Sequence, residues 1–302
     1  PLLGVIRWDG YNGSPEWTQK QEFGFLKPEQ FHWRAPWFVR RTGDPEKPLS
    51  FNPSYDNAII QETSNLETEY AADAGIDFWA FCYYAQYKGG WQLRDNLEAY
   101  LKSPQKSRVK FALINLCEHV GKGVPFVTEE SPAVAWQDWR RLTGEYVELM
   151  KDPDHVKVLG NRPLFFLFVP RDLATALGDP ASKTDQLQQA IQYFRDQATS
   201  AGLANPYMVG MEAGPINAAL YIDQAGLDAV SAYRGCFGLS APPGPKFSAM
   251  WTAIRRDFLE KTGVGKGRKV IVPLASGGDQ SPRHPGSATY QEPTPGDLAA
   301  MV

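Results

Sequence analysis

Short apolar runs recur along the chain, each closed by a polar or aromatic group and followed by residues with helical spacing. The clearest covers residues 111–116, bounded by Lys110 on one side and by Glu118 and His119 on the other. A run of this length without alternation predicts a strand covered on both faces, as in a parallel sheet. Strands are expected at 2–7, 76–84, 109–117, 162–169, 206–211, 227–233 and 269–275. Helices are expected at 56–74, 93–101, 134–150, 187–201, 216–225 and 247–261, with a further one opening at Pro295. Gly75, Gly202 and Gly226 stand where a left-handed residue closes a helix. Trp136 and Trp139 share a face of the helix at 134–150 with Tyr146 and Met150, which fits core packing.

Successive strand–helix units with no linker between them predict an α/β chain of the (β/α)₈ TIM-type barrel class, as a single domain over 1–302. A long Trp-rich loop at about 10–55 interrupts it and is expected to form a binding lid or hairpin. Its Trp33 and Trp37 either face a substrate or plug one end of the barrel. No eighth strand follows the seventh, so the barrel is expected to be incomplete at its C-terminus, by truncation.

The strand ends give the arrangement its chemistry. Trp8-Asp9, Tyr83-Tyr84, Glu118-His119, Arg171-Asp172, Glu212, Tyr233-Arg234 and Asp279 each follow an apolar run. At the C-terminal ends of parallel strands such groups converge on one rim, where α/β folds carry out their reactions. The net charge of -3, with scattered Lys and Arg, speaks against nucleic acid and anionic membrane as partners. No apolar run is long enough to span a membrane, which takes about 20 residues. Aromatic residues make up 13% of the chain and include nine Trp, several of them in loops. Aromatic faces there suit a cleft that stacks on sugar rings.

Cys82, Cys117 and Cys236 form no disulfide framework and read as buried thiols. Phosphate-cradling loops, the dinucleotide fingerprint and the common zinc and serine-hydrolase motifs are missing, so no cofactor is expected. His119 and His284 match no standard ligand spacing, so no metal is expected either. The chain begins at Pro1 without Met; a processed N-terminus would favour a secreted, periplasmic or cell-surface protein, and localisation is otherwise open.

Several segments together resemble the family 99-like glycoside hydrolases, including the WbsX-type domains. They are Gly4-Val-Ile-Arg-Trp-Asp9, His32-Trp-Arg-Ala-Pro-Trp-Phe38 and Ala74-Gly-Ile-Asp-Phe-Trp-Ala-Phe81. With them go Lys110-Phe-Ala-Leu-Ile and its terminal Glu118, Gly160-Asn-Arg-Pro-Leu-Phe166, and Gly277-Gly-Asp279-Gln-Ser-Pro-Arg283. The resemblance implies a (β/α)₈ barrel acting on glycans. It also implies that Glu118 helps bind the sugar near the cleavage point, and that Asp279 and Arg283 lie on a rim loop. The family's paired glutamates, in a Trp/Phe-Asn-Glu-x-x-Glu motif after the eighth strand, have no counterpart among these residues, so the resemblance assigns the catalytic pair to no position here.

Glycosidic cleavage needs a proton donor for the leaving oxygen and a second carboxylate as nucleophile or base. Glu118 and Glu212 are the candidate catalytic residues. The candidate substrate-binding residues are Arg7, Trp8, Asp9, Tyr11, Trp33 and Trp37, joined by Tyr83, His119, Arg171, Tyr233, Asp279 and Arg283. Arginine there would grip an anionic or hydroxyl-rich group. The expected partner is a carbohydrate substrate. The alternatives are a non-catalytic glycan-binding barrel, an inactive fragment, or a polysaccharide lyase.

Overall fold

The structure is a computed structural model that describes residues 1–9, 24–41, 45–46, 48–50, 56–84, 94–122, 130–212, 214–233, 248, 251–252, 254–274 and 293–299. The chain divides into two compact units. The first is built mainly from Pro1–Asn115 and Glu145–Lys157, the second from Leu116–Lys122, Thr128–Gly144 and Val158–Val302.

In the first unit, β1 (Gly4–Arg7) is followed by a 3₁₀ turn (Glu29–Arg34) and two short antiparallel strands, β2 (Arg40–Arg41) and β3 (Leu49–Ser50). Leu26 and Leu49 anchor this excursion against Phe31, Phe38 and Ile59, so part of the Trp-rich loop has a small core of its own. Helix α1 (Asn57–Asp73) starts where the Asp56 carboxylate accepts the Ala58 N–H at 2.8 Å. It stops at Gly75, whose φ of 79° is left-handed. Strand β4 (Phe78–Tyr83), helix α2 (Asp95–Lys102) and strand β5 (Lys110–Leu116) follow. The strands run parallel in the order β1-β4-β5, with Arg7 opposite Phe81 and Tyr83 opposite Asn115. Tyr100 of α2 packs on Phe81 and Phe111 at 5.3 and 5.6 Å and donates to the Val109 carbonyl at 2.6 Å. One side of the sheet is thereby sealed by large apolar rings whose polar end is satisfied.

In the second unit, β7 (Arg162–Phe168), β8 (Tyr207–Met211) and β9 (Ala229–Ser231) are parallel in that order; a short β6 (Lys157–Val158) precedes them. Helices α3 (Pro132–Met150), α4 (Pro170–Ala176), α5 (Asp185–Ser200) and α6 (Pro215–Ala218) alternate with the strands. A π-helix, Ala219–Gln224, continues α6. Trp139 of α3 meets Phe194 of α5, which stacks on Phe165 of β7 at 4.8 Å. Trp139 donates its indole N–H to the Ala190 carbonyl, and Trp136 donates to Gln186, so both serve packing, as expected. A second π-helix, Ile254–Glu260, and helix α7, Pro295–Ala299, come later.

Strand–helix alternation around parallel strands makes this an α/β chain of the incomplete (β/α)₈ barrel class. Two elements depart from the sequence reading. Among the described residues, the run at 269–274 makes a single parallel bridge, Val270 to Val230. Pro273 lacks the N–H to continue a ladder, and Val272 and Leu274 beside it are exposed. Arg171 and Asp172 lie in the first turn of α4, one step beyond the strand end.

Candidate active site

The strand ends of the second unit gather several of the expected residues. Glu118 sits in the 3₁₀ turn Cys117–His119 directly after β5, exposed, with its Oε1 3.5 Å from His119 Nε2. Burial lowers the His119 pKa, and the charge of Glu118 partly opposes this. Cys117 is fully buried, and burial beside the Asp172 charge holds its thiol well up and inert. The turn packs on α4, which supplies Arg171 and Asp172, their charged groups 3.7 Å apart. The chain enters α4 through Val169 at φ 52°, a left-handed conformation that a β-branched residue rarely adopts.

Glu212 follows β8, and its backbone N–H extends the ladder to the Ser231 carbonyl at 2.8 Å. Its Oε2 is buried with no hydrogen-bond partner among the described residues. A buried carboxylate oxygen without a donor is costly and calls for an explanation. Tyr221, on the π-helix, lies in the same electrostatic neighbourhood: burial raises its pKa, Arg171 opposes this, and Glu212 and Asp172 add to it. Asp172 thus acts on both Cys117, beside Glu118, and Tyr221, beside Glu212. Tyr233 packs edge-on against Phe168 at 5.1 Å.

The first unit holds a second constellation. Arg7, buried at the end of β1, donates from Nε to Asp9 at 2.8 Å and from Nη2 to Glu67 of α1. Its guanidinium lies over Trp79 at 5.1 Å and Phe81 at 5.5 Å. Burial opposes its charge, yet the two carboxylates outweigh burial and raise its pKa. Burial raises Asp9 and Glu67 as well, with Arg7 pulling each back. These groups line a cleft of about 260 Å³ together with Trp8, Trp37 and Asn96. Trp8 donates its indole N–H to the Tyr84 hydroxyl at 2.6 Å.

Trp37 is 56% exposed and meets Tyr70 edge-on, while Trp33 is 70% exposed beside Arg34. Tyr83 donates to Glu145 under the Arg94 guanidinium, away from the cleft's lining. Tyr11, Asp279 and Arg283 lie outside the described residues. No group of His, Cys, Asp and Glu among the described residues has the makings of a metal site, and no described helix is long and apolar enough to cross a membrane.

Glu67, Asn96, Trp79 and Tyr221 were not singled out from sequence. For Glu67 a signal existed: Ile60, Thr63, Ser64, Thr68 and Ala71 form the buried stripe of α1, and position 67 falls within it. A carboxylate there needs a partner.

Parallel strands alternating with helices define the class, an α/β fold of barrel type with polar groups at the C-terminal ends of its strands. No protein-family model and no curated protein matches the chain. Among solved structures, it is similar to the GH99 endo-alpha-mannosidase from Bacteroides thetaiotaomicron, at 16% identity over 82% of this chain, with a TM-score of 0.48. It spans 62% of that chain, under two thirds of its length. It is also similar to a glycoside hydrolase-like protein, at 14% identity over 97% of this chain and 76% of that one, with a TM-score of 0.50. At such identities what is shared is the fold, a barrel of the kind the glycoside hydrolase-like protein has.

Proposed function

We propose that the chain is a glycoside hydrolase acting on a glycan at the strand ends of its second unit. The observation that carries this reading is Glu212: a carboxylate at the C-terminal end of a parallel strand, one oxygen buried and without a partner among the described residues. A substrate hydroxyl can donate to that oxygen, and the protonated carboxyl can in turn donate to a glycosidic oxygen. In this reading Glu212 faces the leaving oxygen as proton donor. Glu118, in contact with water after β5, is the second carboxylate, serving as base or nucleophile. Asp172 and Arg171 hold hydroxyls near the reacting bond, and His119 orients Glu118. The barrel fold shared with a glycoside hydrolase-like protein supports the choice of reaction class.

The test is turnover on a panel of α- and β-linked glycans. Glu212→Gln and Glu118→Gln should each cost at least about 100-fold in kcat, the scale of a lost acid–base group, with unchanged melting temperature. Full activity in Glu212→Gln would remove the reading.

A further inference from the structure

The cleft of the first unit takes no part in the strand-end chemistry just described, and its charge is unbalanced. Two carboxylates, Asp9 and Glu67, share one guanidinium, that of Arg7. With both ionised the cluster carries a negative charge in excess, and burial raises both acids in spite of Arg7. Asn96 lines the same cleft, is only 3% exposed, and hydrogen-bonds Asp9. Its Oδ1 is nevertheless buried without a partner among the described residues. The cleft therefore offers an unpartnered acceptor in Asn96 Oδ1 and an excess of negative charge, with the Trp79 indole N–H as a donor that also lacks a partner among the described residues. Its walls include the indoles of Trp8, Trp37 and Trp79, whose faces attract cations and stack on the C–H faces of sugar rings.

We propose that this cleft binds an amino sugar with its nitrogen unacylated, the ring on the indoles and the ammonium among Asp9, Glu67 and Asn96 Oδ1. An ammonium carries three donors and one positive charge, which answers Asn96 Oδ1 and the excess charge together, while the sugar's hydroxyls can accept from the Trp79 indole N–H. A neutral hexose supplies donors but leaves the excess charge uncompensated, and an N-acetyl group supplies a single N–H and no charge. This inference rests on the carbohydrate reading above and narrows it to glycans bearing free amino groups.

Calorimetric titration of the whole chain with glucosamine, glucose, N-acetylglucosamine and cyclohexylamine at neutral pH tests it. Glucosamine should bind about tenfold or more tighter than each of the other three, a difference of about 1.4 kcal/mol. Glu67→Gln, which keeps an acceptor for Arg7, should erase the preference over glucose. Trp37→Ala, at a position 56% exposed, should weaken glucosamine binding and so covers the case in which Glu67→Gln fails to fold. Equal binding of glucose, equal binding of cyclohexylamine, or a preference that survives Glu67→Gln overturns the proposal. Binding is read without turnover. A chain that hydrolyses glycans yet ignores glucosamine sinks this inference alone, and one that binds glucosamine without hydrolysis sinks only the catalytic reading.

Discussion

Arg7 shows how a single side chain ties sequence, stability and recognition together. It sits at the last position of β1, 7% exposed, and its guanidinium joins the strand end to Glu67 on α1 and to Asp9 two residues on. Removing one partner of a buried ion cluster strands the remaining charges, which typically costs about 3 kcal/mol or more. Arg7→Met should therefore lower stability by about that amount at neutral pH. The deficit should shrink as pH falls, because Asp9 and Glu67 then take up protons and no longer bury unpaired charge. Urea denaturation of both proteins at pH 7 and pH 5 measures it; an equal deficit at both would contradict the assignment. Arg7, Trp8 and Asp9 were legible in sequence as a strand end. Glu67 was hidden because a lone Glu on a helix reads as solvated, and only its place in the buried stripe of α1 says otherwise.

At the scale of elements, the periodic pattern located helices and strands well, while their limits were set by contacts remote in sequence. Helix α5 begins at Asp185 because Asp179, 8% exposed, accepts the N–H groups of Gln186 and Leu187 at 2.9 Å each. No spacing rule reaches back that far. The same holds for the start of β5, where a strap of residues ending at Val156 pairs with Phe111. His155 in this strap is 1% exposed, stacks edge-on against Phe111, and has an Nε2 with no partner among the described residues. Burial lowers its pKa from 6.5 to about 4. Above pH 6.5 the imidazole is neutral in both folded and unfolded chains, and its burial costs nothing in protonation. Between 6.5 and 4 only the unfolded chain binds the proton, so stability falls as pH falls. At about 1.4 kcal/mol per unit the loss across that window approaches 3 kcal/mol. Melting curves at pH 7 and pH 4.5 should show a drop that His155→Phe, keeping a ring against Phe111, makes shallower.

On the scale of the molecule, the two ends of the parallel strands are built to opposite standards, most clearly in the second unit. At the N-terminal ends the Asp228 carboxylate is fully engaged: it accepts from Arg162 at 2.7 Å, from Arg195 at 3.0 Å and from the Met208 N–H at 2.9 Å. At the C-terminal ends Glu212 keeps a buried oxygen without a donor among the described residues, and Val169 holds a left-handed backbone. The class of fold and this rim could be read from the order of apolar runs. The strain could not, since nothing about valine announces a positive φ. Strain that persists at a strand end means that the surrounding structure holds the segment in place, here at the entry to the helix that carries Arg171 and Asp172. A left-handed β-branched residue costs about 1–2 kcal/mol relative to glycine. Val169→Gly, at a partly exposed position, should thus raise the melting temperature while loosening α4 and lowering turnover. Calorimetry and glycan hydrolysis on the same preparation decide it. A gain in stability with turnover unchanged would show that the strained residue has no part in the reaction.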